Sequence, residues 1–197
     1  EKAVLVLHAW WGLNQTIKSF CDRLTSQGFI VFAPDLSHGK IADTISDAEK
    51  LSATLDADPQ PARAEVLKAA KYLEQIHGAP SGELAVIGFS LGAYFALDLS
   101  TTVPELINKV VLYYGSGPSD FQQSQAEYLA HFASDDPYEP ESNANNLKSK
   151  LDEAGRPATF YTYPGTGHWF FESDREDAYN PAAAELAWER TLKFLKA

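Results

Sequence analysis

The stretch Glu83–Gly92, ELAVIGFSLG, and its continuation Ala93–Ser100, AYFALDLS, decide the fold. Glu83–Phe89 is a short, nearly continuous apolar run, the mark of a strand buried on both faces. Leu91–Ser100 reads as the helix behind it. At their junction Gly88-Phe89-Ser90-Leu91-Gly92 matches G-x-S-x-G. Three fixed positions in five arise by chance in many chains; the strand-turn-helix setting makes the match specific. The turn forces Ser90 into a strained conformation, the glycines clear side chains from it, and the hydroxyl is presented above the sheet. The Leu91 amide, at the helix N-terminus, faces the same point and can hold an oxyanion. A serine here also reads as a plain helix N-cap. A nucleophile needs a base and a group to orient that base, and both must come from elsewhere in the chain.

Outward from this unit, strands and helices alternate. Lys2–His8, Phe29–Ala33, Lys109–Tyr114, Ala126–Phe132 and Ala158–Tyr163 are the other apolar strand candidates. Gln15–Gln27 carries Ile17, Phe20, Cys21 and Leu24 at helical spacing, with Gly28 at the C-cap. Asp43–Leu55 reads as a helix, after which Pro59 and Pro61 break the pattern; Ala62–His77 follows, ended by Gly78 and Pro80. Ser142–Ala154 and Pro181–Lys196 complete the helices, the last with Leu186, Leu192 and Leu195 as expected core contacts. Ser116–Gln125 reads as loop. This alternation predicts an α/β fold: a mostly parallel sheet with helices on both faces, forming one domain over residues 1–197. In such sheets, sites lie beyond the carboxyl ends of the strands.

Composition narrows the function classes. With 16 basic and 27 acidic residues the chain carries a net charge of −11. That disfavours nucleic acid and anionic lipid as partners. One cysteine, Cys21, permits no intrachain disulfide and no multi-cysteine metal site, and favours a reducing, cytoplasmic setting. No apolar run approaches the roughly 18–20 residues of a membrane span. The chain has no methionine, even at position 1, which reads as a processed or trimmed N-terminus.

The base and acid should follow the nucleophile in chain order. Tyr163-Pro164-Gly165-Thr166-Gly167-His168 ends the last strand in a glycine-flanked histidine, and Ser134-Asp135-Asp136-Pro137 ends another in an acidic pair. His168 is the expected base. His8 and His38 precede Ser90, His77 ends a helix, and His131 lies inside a strand. The residues themselves leave Asp135 and Asp136 equivalent.

These blocks together make the chain resemble the dienelactone hydrolase family of the α/β-hydrolase fold. The resemblance runs through Leu5–Asn14 (LVLHAWWGLN), Phe29–Gly39 (FIVFAPDLSHG), Val86–Tyr94 (VIGFSLGAY), His131–Pro140 (HFASDDPYEP), Tyr163–Phe171 (YPGTGHWFF) and Ala183–Leu195 (AAELAWERTLKFL). It implies a compact α/β-hydrolase core and a hydrolase without cofactor or metal. It also implies that the triad acid stands four residues before a proline, which selects Asp136 ahead of Pro140, and that Trp10 offers a second oxyanion amide beside Leu91. The expected catalytic set is therefore Ser90, Asp136 and His168.

Three positions depart from the family pattern. The nucleophile is Ser90 where dienelactone-opening members carry cysteine. Ala9 stands where they carry a glutamate beside the thiol. Glu172, four beyond the base, falls where an arginine holds the substrate carboxylate. With Asp174, Glu176 and Asp177 it makes that segment acidic, which reads either as a solvated loop or as a wall against anionic substrates.

Trp10, Trp11, Tyr138, Trp169, Phe170 and Phe171 fall in the site loops. About half are expected to line a substrate pocket, Trp10 and Trp169 first, with Trp11 and Tyr138 beside them; the others pack loops onto the core. The implied activity is a serine hydrolase acting on a small ester, lactone or thioester, as a monomer or small homo-oligomer. An acyltransferase would use the same residues, and a non-catalytic binding protein would keep the fold alone. A dinucleotide binder would need a glycine-rich first loop, and His8–Asn14 holds only Gly12.

Overall fold

The computed structural model describes residues 2–77 and 83–197. Its elements are β1 (Ala3–Leu7), α1 (Gln15–Ser26), β2 (Ile30–Phe32), α2 (Ile45–Ala57), α3 (Gln60–His77) and β3 (Leu84–Phe89). Then come α4 (Leu91–Thr102), β4 (Ile107–Tyr113), β5 (Glu127–Ala133), α5 (Glu141–Glu153), β6 (Ala158–Tyr163) and α6 (Pro181–Lys196). Among the described residues the strands form one six-stranded sheet, in the order β2-β1-β3-β4-β5-β6. Every pairing is parallel.

Period-2 alternation divides the apolar strand residues between two cores. Leu5, Leu7, Val86 and Leu112 face α3, α4 and α5, where they meet Val66, Leu73, Phe95, Leu99 and Leu151. Val4, Val6, Ile87, Phe89 and Val111 face α1 and α6, where they meet Ile17, Phe20, Leu24 and Trp188. Burial on both faces explains why the strands read as unbroken apolar runs. No described helix is long and apolar enough to cross a membrane.

Three expectations need correction. Pro61 does not interrupt a helix: it lies in the first turn of α3, where its missing N–H would have had no partner. Leu186 is 41% exposed. The buried stripe of α6 is Ala184, Ala187, Trp188, Thr191 and Leu195, at helical spacing that carries Leu186 to the far side. Tyr114 leaves β4 with φ +38°, so the strand stops one residue before the expected end. The helix stop at Gly78 and Pro80 lies outside the described residues.

The strand order reverses between β1 and β3, and this switch point puts the loops after those strands side by side. Two glycines make the approach possible. A Cβ on Gly92 would lie 2.7 Å from the Leu7 carbonyl carbon and 2.8 Å from the His8 oxygen. A Cβ on Gly88 would lie 2.5 Å from the Ala93 nitrogen. Both obstacles are backbone and cannot swing aside. Gly92→Ala is therefore expected to cost about 1–3 kcal/mol of unfolding free energy. Gly117→Ala, whose Cβ would meet nothing closer than 3.5 Å, should stay within about 0.5 kcal/mol of the parent. Urea midpoints at unchanged slope measure both.

Candidate active site

Ser90 joins β3 to α4 with φ +50° and ψ −110°, in the left-handed region that L-residues with a Cβ seldom enter. The surroundings hold it there. Its amide donates to the Tyr113 carbonyl (2.9 Å), and its carbonyl accepts from Ala93 (2.8 Å). A Cβ on Gly115 would stand 2.6 Å from the Ser90 oxygen, so the chain after β4 runs tightly along the turn. Leu91 is the first residue of α4, and its amide is among the helix's unpaired N-terminal donors.

Ser90 Oγ lies 2.8 Å from His168 Nε2, and His168 Nδ1 lies 2.6 Å from Asp136 Oδ2. A carboxylate only accepts, so Nδ1 carries the proton to Asp136 and Nε2 is free to accept from the serine. Both side chains of the His168–Asp136 pair are nearly inaccessible. The second oxygen of Asp136 accepts from the Tyr138 and Glu139 amides, each at 2.9 Å, which fixes the carboxylate plane. Asp135 turns outward and accepts from Ser134 Oγ, while its amide donates to Thr166. The loop geometry thus separates two carboxylates that adjacency in sequence could not.

The other histidines serve different ends. His8 is buried; its Nδ1–H donates to the Ala9 carbonyl (2.7 Å), and Nε2 accepts from the Leu36 amide (3.0 Å). Burial lowers its pKa below the ordinary value, against the backbone bond and Asp35. His131 shares hydrogen bonds with Tyr163 Oη and Thr191 Oγ1. Burial, with Arg190 adding to it, pushes it down to about 3. His38 is exposed and pairs with Glu65.

The aromatic residues divide. Trp10, Trp11, Tyr138 and Trp169 form one box, with ring centroids 5.0–5.9 Å apart. Trp169 and Tyr138 also flank the His168 ring, at 4.8 and 5.2 Å. Phe170 and Phe171 turn inward, against Tyr114, Tyr163, Phe20 and Phe89. A cavity of about 550 Å³ opens beside His168, lined by Trp11, Tyr138 and Trp169 among others. Trp10 is not in its lining. Asp43, Asp135, Asp174, Glu176 and Asp177 also line it, against one cation, Arg175. That cation is already engaged: Nη2 bonds Asp174 at 2.7 Å, Nη1 donates to the Asp43 carbonyl, and the guanidinium lies 3.9 Å from the Trp11 ring centre.

One buried pair had no distinguishing signal in the sequence. Glu172 is fully buried, unlike the exposed acids that follow it. Tyr114 Oη donates to its Oε2 at 2.5 Å, and Oε1 has no partner among the described residues. Burial pushes the carboxyl up to about 8; Asp174 adds to this, while Tyr114 and Arg175 oppose it. Only its place among apolar aromatics, HWFFE, hints at burial.

The family model described as the dienelactone hydrolase family matches residues 1–197. "Protein usf" of Aquifex pyrophilus is 30% identical over 200 residues, which cover 98% of this chain and 87% of that protein. The "Probable 2-oxo-3-(5-oxofuran-2-ylidene)propanoate lactonase" of Bradyrhizobium sp is 30% identical over 207 residues, covering 98% of this chain and 83% of that protein. Among solved structures, a dienelactone hydrolase-like promiscuous phosphotriesterase from metagenomic libraries shares the fold. Its TM-score is 0.87 at 19% identity, covering all of this chain and 86% of that one.

The buried carboxyl sets a pH dependence of stability. Between its ordinary value of 4.5 and about 8, the unfolded chain has released a proton that the folded chain keeps. The folded state binds more protons there, so this group's contribution falls as pH rises through that window and is level above it. Glu172→Gln lacks the effect. From pH 5 to pH 8 the stability difference between variant and parent should shift toward the variant by at least about 2 kcal/mol. Chemical denaturation at the two pH values measures it.

Proposed function

The chain belongs to the dienelactone hydrolase family and is a hydrolase, and from that premise we propose that it cleaves a small carboxylic ester, lactone or thioester through an acyl-enzyme on Ser90. The observation that carries this reading is the unbroken hydrogen-bonded line from Ser90 Oγ through His168 to Asp136. His168 Nε2 takes the serine proton as Oγ attacks the substrate carbonyl carbon. Asp136 holds the tautomer that leaves Nε2 free and stabilises the imidazolium that forms. The Leu91 and Trp10 amides hold the tetrahedral oxyanion. Collapse breaks the bond to the leaving oxygen or sulfur, which receives the proton from His168. Water then attacks the acyl carbon, giving its proton to the same nitrogen, and release of the acid restores Ser90. An acceptor alcohol in place of water would make the protein an acyltransferase with the same residues.

The cavity beside His168 is the proposed seat of the substrate, with Trp11, Tyr138 and Trp169 as its apolar wall. Five carboxylates against one committed guanidinium give it a negative potential. A neutral substrate meets no penalty there, whereas an anionic one is repelled.

Hydrolysis of p-nitrophenyl esters from acetate to decanoate tests the nucleophile and sizes the acyl site. Ser90→Ala should lower kcat by at least about 10³-fold on every ester cleaved by the parent. An unchanged rate would refute the assignment. Fluorophosphonate should label the parent and not the variant.

Charge selectivity is tested separately. An ester bearing a free carboxylate should show kcat/KM about tenfold below its neutral amide analogue, with the gap narrowing as salt is raised. Equal values would remove the acidic wall from the account.

A further inference from the structure

We propose that Glu172, acting through Tyr114, is a positioning residue for the Ser90–His168 pair. The inference rests on the reading of Ser90 and His168 given above, and goes beyond it by adding two residues that no motif marks. A buried carboxyl with an unpartnered oxygen is costly, and this one stands four residues beyond the base on the same loop.

Tyr114 lies where it can act on both partners. Its ring centre is 4.9 Å from that of His168. The residues on either side of it in the chain meet the nucleophile: the Tyr113 carbonyl accepts the Ser90 amide, and Gly115 packs against the Ser90 carbonyl. A shift of Tyr114 therefore moves the wall behind the base and the backbone beside the serine together.

What holds Tyr114 is not its own backbone preference. Its φ of +38° is unfavourable for a residue with a Cβ. Its amide donates to the His131 carbonyl at 2.8 Å, and its phenol is anchored by Glu172 Oε2. The three rings around His168 differ in this respect. Tyr138 is 45% exposed, and the Trp169 indole nitrogen has no partner among the described residues. Tyr114 is fully buried and tied at its polar end. Glu172 in turn is fixed from both sides of its backbone: its amide donates to Trp169, and its carbonyl accepts from Arg175. The pair thus pins the base-bearing loop to the end of β4. Burial pushes the Glu172 carboxyl up to about 8, toward the neutral acid. Glutamine then reproduces its shape and its acceptor.

The test uses the whole chain with p-nitrophenyl butyrate at pH 7. Tyr114→Phe and Glu172→Leu should each lower kcat by at least about fivefold, with KM changed less than about twofold. Fluorophosphonate labelling should slow in parallel. Glu172→Gln should retain at least about half of the parent kcat, because it still accepts from the phenol. The double variant Tyr114→Phe/Glu172→Leu should be no slower than the worse single one, since both remove a single contact. Tyr128→Phe is the control for general loss of a buried hydroxyl. Tyr128 bonds Ser100 and Ser124 in the opposite core, and this variant should keep its kcat.

Two failures are distinguishable. If Ser90→Ala is as active as the parent, the reading of the site itself falls. If Ser90→Ala is inactive while Tyr114→Phe keeps kcat within about twofold, only the positioning role falls. Multiplicative losses in the double variant would likewise overturn action through Tyr114. Should Glu172→Leu fail to fold, Tyr114→Phe and Glu172→Gln decide alone, with an unchanged kcat in the former overturning the proposal.

Discussion

Everything at the carboxyl edge of the sheet depends on the close approach of α4 to the end of β1. The approach exists because Gly92 has no side chain where the Leu7 and His8 carbonyl groups pass. Gly88 permits the complementary contact, with the first turn of α4 folding back over β3. Between the two glycines the chain turns with Ser90 at φ +50°. The strain at Ser90 is thus a consequence of packing on either side of it. It is sustained by the parallel pairing of β3 with β1 and β4, which fixes all three strand ends. The same approach brings the Leu7 and His8 backbone, just ahead of Trp10 and Trp11, against the start of α4 beside Ser90.

The site loops are irregular, so buried polar bonds do the work that regular structure does elsewhere. His8 ties the loop after β1 to the loop after β2 through the Leu36 amide. Thr166 hydroxyl and carbonyl tie the turn before His168 to Tyr163 and Asp135. Asp136 is clamped by two amides of its own loop before it meets the imidazole. Each of these groups is neutral or fully partnered, which keeps the cost of burying it low. Glu172 departs from this, with one carboxyl oxygen satisfied and one without a partner among the described residues, as do the buried indole nitrogens of Trp10, Trp11 and Trp169. An exception of this kind beside the base is the reason to seek a role for it beyond packing.

The fold was legible because burial on both faces writes each strand as an apolar run, and the helices between them keep a 3.6-residue period. Element ends were less so. Tyr114 looks like strand by composition, and nothing local announces its left-handed turn. Leu186 looks like core by hydrophobicity, and only the phase of the whole α6 stripe reveals that it faces outward. The pairing of Ser90 with His168 was legible from turn chemistry and chain order. The choice of Asp136 over Asp135 came from the family resemblance, through Pro140, and not from the residues themselves, because adjacent carboxylates differ only in the path of the loop; amides two and three residues further on hold Asp136 in that path. Glu172 was hidden by its neighbours: three exposed acids follow it within five residues, so the segment reads as a solvated run.

Glu172 also bears on what family membership means for this chain. By resemblance its position belongs to an arginine that holds a substrate carboxylate. Replacing that arginine with an exposed acid would only have reversed a charge. Here the acid is withdrawn into the core, tied to Tyr114, and removed from contact with solvent. The charge around the cavity comes instead from the exposed acids further along, with the nearby guanidinium of Arg175 already spent on Asp174 and Trp11. Ser90 sits at the end of β3 and Asp136 shortly after β5, while His168 shares the loop after β6 with Asp174, Glu176 and Asp177, which line the cavity. Family membership makes this chain a hydrolase. On the proposed reading, the acids around the cavity, and not kinship, decide the sign of charge on the molecule it hydrolyses.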